Sequence, residues 1–250
     1  MNSDILFNPP TEGEERVKAI VLRRVAYKES DAVLTALSQS RLFSFYGKGV
    51  NRLSSKNGPS VSELCLSLFL FHRSSQGKLS LREGRVCENL APYGDLDSLS
   101  VAMFAQEAGL RLLNEDSSES ECSFAFDAIL EALRSLKGGL DPYLAGIGLC
   151  SSFLSLAGLT PEVESCVRCG KRQGICAISV EDGGFVCRDC LRQADIRRPK
   201  EFLSDFQKAI RDPKCLEKAG HDRELFSLLA SFLASQGGFK FKSVALLGKL

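Results

Sequence analysis

From Arg16 to Val86 apolar and polar positions alternate with a period of two. The runs VKAIVLRRV, AVLTALS, RLFSFYGKGV, ELCLSLFLFHR and GKLSLREGRV are rich in β-branched and aromatic residues, with breakers at 29–31, 54–59 and 74–77 between them. Five short strands at this spacing predict a small closed or sandwiched sheet. The count suits an OB barrel, and an SH3-like barrel fits the same pattern. After Pro92 the period lengthens to about three and a half, predicting helices over 96–113, 122–136 and 142–157. Asp97 and Asp141 read as caps, Pro142 as a first helical residue, and Gly158 as the stop of the third helix. PKEFLSDFQKAIR and DRELFSLLASFLASQ predict two more helices.

One stretch belongs to neither pattern. SCVRCGKRQGICAISVEDGGFVCRDCLRQ holds two Cys-x-x-Cys pairs, Cys166/Cys169 and Cys187/Cys190, with seventeen residues between them. That spacing is expected of a four-thiolate zinc site. The turn Asp182-Gly183-Gly184 between AISV and FVC makes the stretch a zinc ribbon. Four thiolates close a tetrahedron and leave no position for water, so one Zn2+ per chain would hold structure and do no chemistry. Redox pairs and disulfides are the other readings, but neither pair sits between a strand and a helix, and disulfides need an oxidising compartment. Cys176 is a fifth sulfur in mid-loop, a bystander or a substitute ligand. Cys65, Cys87, Cys122, Cys150 and Cys215 are expected to be buried as small apolar residues.

Composition adds little until charge is read by region. The net charge is only +1, but residues 16–85 carry thirteen basic and four acidic side chains, and 86–165 carry three and thirteen. A basic first region followed by an acidic middle suits a nucleic-acid surface beside a protein-docking surface. Residues 1–15, acidic and containing Pro9 and Pro10, read as a flexible tail without the basic, apolar start of a secretory signal. No apolar run is long enough to span a bilayer, and the expected location is cytoplasmic.

Catalytic patterns are sparse. The two histidines, His72 and His221, lie in no triad or deaminase order, and no P-loop is present. Asp95 and Asp97 stand before a helix and read as caps. The chain therefore reads as a binding protein with no catalytic residues. Between Arg41 and Lys56, the rings of Phe43, Phe45 and Tyr46 interleave with Arg41, Lys48, Arg52 and Lys56. Rings can stack on bases while cations follow phosphates. Phe43 and Phe45 share a strand face and are expected to fill the barrel; Tyr46 faces the other way.

The motifs IVLRRVAYKESDAVLTALS, YGKGVNRLSSKNG, LAGLTPEVESCVRCG, DGGFVCRDC and FKSVALL, in this order, resemble the bacterial recombination and repair protein family RecO. The resemblance covers nearly all of the chain from Arg16 onward. It implies an α+β protein: an N-terminal OB-fold β-barrel (16–90) that binds DNA, then a helical domain (91–250) with a zinc ribbon (163–193) inserted. It implies binding of single- and double-stranded DNA, annealing of complementary strands, and work with RecR and single-stranded DNA-binding protein to load RecA. By the same resemblance, Cys166, Cys169, Cys187 and Cys190 are zinc ligands and Lys48, Arg52 and Lys56 candidate DNA contacts, with Arg23 and Arg24 weaker ones. Tyr46 is the candidate stacking ring. Asn51 stands where the family usually has another cation, and the 142–157 helix has no Lys or Arg on which an acidic tail could dock. A zinc-ribbon scaffold that binds protein without DNA is the alternative, and a nucleic-acid-modifying enzyme a more distant one.

Overall fold

The first strand, β1 (Glu14–Tyr27), is long enough to serve two neighbours. Its first half runs antiparallel to β4 (Cys65–Arg73) and its second half to β2 (Asp31–Leu37). A register shift between Val21 and Arg23 marks the exchange of partners; such irregularities bend a strand and tighten its twist, which a small barrel needs. β2 pairs with β3 (Leu42–Gly47), β3 meets β5 (Leu79–Asn89) in parallel with Tyr46 opposite Ser80, and β5 returns along β4. The ring closes in the order β1-β2-β3-β5-β4. That order is the Greek-key barrel of the OB type, which decides between the two barrels the alternation allowed.

These statements rest on a computed structural model describing residues 13–92, 95–238 and 240–245. Residues 1–12 of the expected tail lie outside that range. β1 starts two residues before the alternation does, because Glu14 pairs with Arg82 and Glu15 with both Arg41 and Arg73 across neighbouring strands.

Inward positions converge on four rings. Phe43, Phe45, Phe69 and Phe71 are all buried, with centroids from 4.8 to 6.0 Å apart. Phe43 and Phe45 thus fill the barrel as expected. Phe71 is 0% exposed. Phe71→Ala should lower stability by about 3–5 kcal/mol, read as a drop in the urea midpoint, because the surrounding rings cannot close the cavity. An unchanged midpoint would mean that this core is not packed as described.

The helices are α1 (Leu96–Leu112), α2 (Glu119–Lys137), α3 (Pro142–Leu156), α4 (Lys200–Arg211), α5 (Asp222–Gly237) and the short α6 (Lys242–Ala245). Asp95, not Asp97, caps α1: its carboxylate accepts the Ser98 N–H at 2.6 Å and the Ser98 hydroxyl at 2.7 Å. α2 starts three residues earlier than its apolar period suggests. Ser118 and Glu121 exchange backbone bonds there in a capping box. Asp141 caps α3 as expected, accepting the Tyr143 N–H at 3.0 Å. Gly146 lets α3 approach α5, since a Cβ there would lie 2.7 Å from the Phe226 ring.

The chain divides into two compact units, residues up to 91 with 113–130, and 92–112 with 131 onward, so α2 is shared between them. Among the described residues, no helix is long and apolar enough to cross a membrane. Cys65, Cys122 and Cys150 are buried, but Cys87 and Cys215 are exposed. Cys87 lies on a solvent-facing stretch of β5, and Cys215 ends a 3-10 turn where its thiol meets Asp212 at 2.9 Å.

Candidate nucleic-acid surface and metal centre

The basic loop after β3 is pinned from below. Asp31, buried at the start of β2, accepts the Tyr46 hydroxyl and, at 2.7 Å, the Gly49 N–H. The Tyr46 hydroxyl first, and the Gly49 N–H second, hold its carboxyl below the ordinary value; the same bond pushes the Tyr46 hydroxyl up. Asn51 completes the attachment. Its backbone N–H donates to Ser30 O at 2.8 Å, its amide donates to Asp31 O at 2.6 Å, and its Oδ1 accepts from Arg24. The residue that departs from the family's usual cation is therefore the one that ties the loop to the β1–β2 turn.

This attachment sorts the candidates. Arg24 is engaged with Val50 O at 3.3 Å and with Asn51, so it positions the loop. Arg23, Lys48, Arg52 and Lys56 are exposed, and among the described residues none has an ion-pair or side-chain hydrogen-bond partner. Tyr46 is half-buried with its hydroxyl occupied. The open ring is Tyr27, 48% exposed, edge-on to Tyr46 with centroids 6.1 Å apart.

Lys28, at a left-handed φ of 54°, sets its ammonium 5.4 Å from the Tyr27 centroid. Val25 and Val33, paired across β1 and β2, are also exposed, and Val33 is opposite Tyr46 on β3. One outward face thus carries Val25, Tyr27, Val33 and Tyr46 beside the pinned loop. Tyr27 lies outside the basic loop and carries no motif of its own. Its signal was parity, since Arg23, Val25 and Tyr27 alternate outward after the bulge.

The metal centre is built from two knuckles on a three-stranded sheet of β6 (Ile175–Ser179), β7 (Gly184–Cys187) and β8 (Ile196–Arg197), in the order β7-β6-β8. The third strand was not foreseen; its two residues carry too little pattern. Gly184 allows the chain before the first knuckle to cross β7, since a Cβ there would lie 2.3 Å from Glu162 O. The sulfurs of Cys166, Cys169, Cys187 and Cys190 lie within 4.8 Å of one another, and those of Cys169 and Cys187 are 3.6 Å apart. A tetrahedron with metal–sulfur bonds of about 2.3 Å has edges of roughly 3.8 Å. The four cysteines therefore form a cluster that could hold a metal ion. Cys176 is outside it, packed into the ribbon's apolar core.

The sulfurs are unequal in the way a cation would correct. Burial opposes ionisation of Cys166, but N–H groups of Cys187, Arg168 and Cys169 donating to it bring the thiol down to about 6. Cys190 is pushed up to about 12, chiefly by the Cys169 thiol, then by burial and the other sulfurs. Ionising all four thiols this close together would need a positive ion among them.

Arg168 does not face the sulfurs. It donates to Asp182, to Asp195 and, at 2.6 Å, to Cys190 O, fastening the second knuckle to the turn. Lys171 pairs with Asp189 at 2.8 Å.

Comparison with known proteins places the chain in a family. A model of the protein family described as recombination protein O C terminal matches residues 93–245. The chain is 26% identical over 185 residues to the DNA repair protein RecO of Bacillus pumilus, covering 73% of this chain and 70% of the relative. It is 26% identical over 186 residues to that of Bacillus subtilis, covering 74% and 71%. With RecO of Desulforudis audaxviator the figures are 28% over 186 residues, 74% and 73%. With a closed five-stranded barrel, a helical region and a four-cysteine ribbon in the expected order, and a family match spanning most of its length, this chain belongs to the RecO family of DNA repair and recombination proteins.

Proposed function

We propose that the protein binds single- and double-stranded DNA on the outer face of its barrel and anneals complementary strands without catalysing a reaction. The observation that carries this is the set of unpartnered cations, Arg23, Lys48, Arg52 and Lys56, around a rigidly pinned loop beside the exposed ring of Tyr27. Cations hold phosphates of any sequence and an open ring accepts any base, which suits a strand kept ready for pairing. Arg24 and Tyr46 position the loop in this reading. Zinc is the ion that best fits four thiolates at these separations; it closes the ribbon and leaves no open position.

The partners proposed are RecR and single-stranded DNA-binding protein, with RecA loaded as the outcome, in the cytoplasm at the nucleoid. Support for protein docking lies in the acidic 86–165 region, where α1 exposes Leu96, Leu99 and Met103 at helical spacing. RecR is the candidate for that surface.

A competition titration with single-stranded DNA, double-stranded DNA and RNA at two salt concentrations tests the reading. Tyr27→Ala should weaken single-strand binding by about 1–3 kcal/mol, the range for loss of one base stack. A flat titration of the wild-type protein would favour the scaffold alternative.

A further inference from the structure

β6 begins at the end of the ribbon sheet where β7 and β8 finish. β6 runs antiparallel to both β7 and β8. The residues just before β6, just after β7 and just after β8 therefore meet at one edge of the sheet. Arg188 directly follows β7, Arg172 lies three residues before β6, and Lys200 lies three residues after β8 as the first residue of α4. Local bonds close the edge: the Arg188 N–H donates to Gly174 O at 3.0 Å and the Arg198 N–H to Cys176 O at 3.3 Å. Arg172 and Lys200 line one cleft of about 370 Å³, with Phe185 and Leu203 among its other walls.

Most neighbouring cations are engaged. Arg168 is held by Asp182 and Asp195, Lys171 by Asp189, Arg198 by Glu224, and Arg211 by Glu164, the acidic residue of the same cleft. Arg172, Arg188 and Lys200 are exposed, and among the described residues they have no ion-pair or hydrogen-bond partner for their side chains. Three such cations around one end of the sheet attract a polyanion.

We propose that this edge of the ribbon holds the phosphate backbone of a second DNA strand, separately from the strand held by the barrel. The inference rests on the annealing function proposed above, because pairing requires two strands on one protein and the barrel face accounts for one. No base is read here; the hold is electrostatic and salt-sensitive. Arg172 and Arg188 follow Cys169 and Cys187 by three residues and one, so the fold that gathers the four sulfurs also places these two cations.

The test uses the full chain carrying R172Q, R188Q and K200Q together, and two non-complementary oligonucleotides labelled as donor and acceptor. Binding of the first oligonucleotide should stay within about twofold. Capture of the second, read as energy transfer, should weaken roughly tenfold, with its salt slope falling by about two as three phosphate contacts are lost. Zinc content should be unchanged.

Three results would overturn the proposal. Second-strand capture at the wild-type level would place that strand elsewhere. Loss of zinc would mean that the cations balance the metal site's charge. Weakened capture of an acidic peptide with DNA capture intact would make the edge a protein-docking surface. A parallel variant with Lys48, Arg52 and Lys56 changed to Gln separates the two readings, because unaltered first-strand binding there would remove the barrel function and leave the ribbon result to stand by itself.

Discussion

Cys187→Ser, or removal of the metal by a strong chelator, is expected to unfold the ribbon while the barrel stays folded. The ribbon's own apolar core is four buried residues, Cys166, Ala177, Val186 and Cys187, and two of those belong to the four-cysteine cluster that could hold a metal ion. So small a core cannot offset the conformational entropy of ordering the two knuckles and three short strands. A bound metal ion would supply the difference: apparent binding free energies of structural zinc, about 10–16 kcal/mol, are large enough to do so.

The loss should not stop at the ribbon. Phe185 of β7 packs on Phe206 of α4 at 5.7 Å, and Phe206 on Phe232 of α5 at 5.6 Å, so the helical core loses a wall. The expected record is one zinc per chain by atomic absorption in the wild type and almost none in Cys187→Ser. A lowered melting transition should accompany the loss, and Cys176→Ser should retain the metal. Purified, reduced wild-type protein with an ordered ribbon and no stoichiometric metal would refute the assignment.

Replacing Lys48, Arg52 and Lys56 together with Ala is expected to slow annealing about tenfold or more and to flatten its salt dependence. If four phosphates are neutralised on a single strand, a slope near 0.7 for each predicts roughly fifty-fold weaker binding for a fourfold rise in salt. With three contacts removed the same rise should cost only about threefold. Among the described residues none of the three side chains has a hydrogen-bond or ion-pair partner, so stability and metal content should hold. Asp31→Ala is the companion variant. It leaves every cation in place but frees the Tyr46 hydroxyl and the Gly49 N–H, and it should weaken DNA binding through a loosened loop. A triple variant that annealed strands at the wild-type rate, with the same salt slope, would move the primary contact away from this loop.

How much of this was readable beforehand follows from the range of each physical signal. Alternation and helical period are local, and they located five strands and five helices because each side chain's burial is decided by its neighbours two, three or four positions away. The cysteine pairs were legible for the same reason, since each knuckle needs its two sulfurs three positions apart. Regional charge was also visible in the amino-acid order. These determined an α+β chain with a basic barrel region, an acidic helical region and a four-sulfur ribbon.

Tertiary structure decided everything that depends on which distant groups meet. Ring closure between β1 and β4 separated the OB barrel from its SH3-like alternative. Asp31, which no sequence signal distinguished, fixes the basic loop by accepting from Tyr46 and Gly49, and Asn51 changes from a missing cation into a fastening. Tyr46 gives up its hydroxyl to that network and Tyr27 becomes the open ring. Arg168 turns toward two aspartates, while Arg172 and Lys200, distant in the chain, line one cleft. Side-chain hydrogen bonds and ion pairs across such separations form only once the chain has closed its loops. They depend on register and reach, which a one-dimensional pattern does not contain.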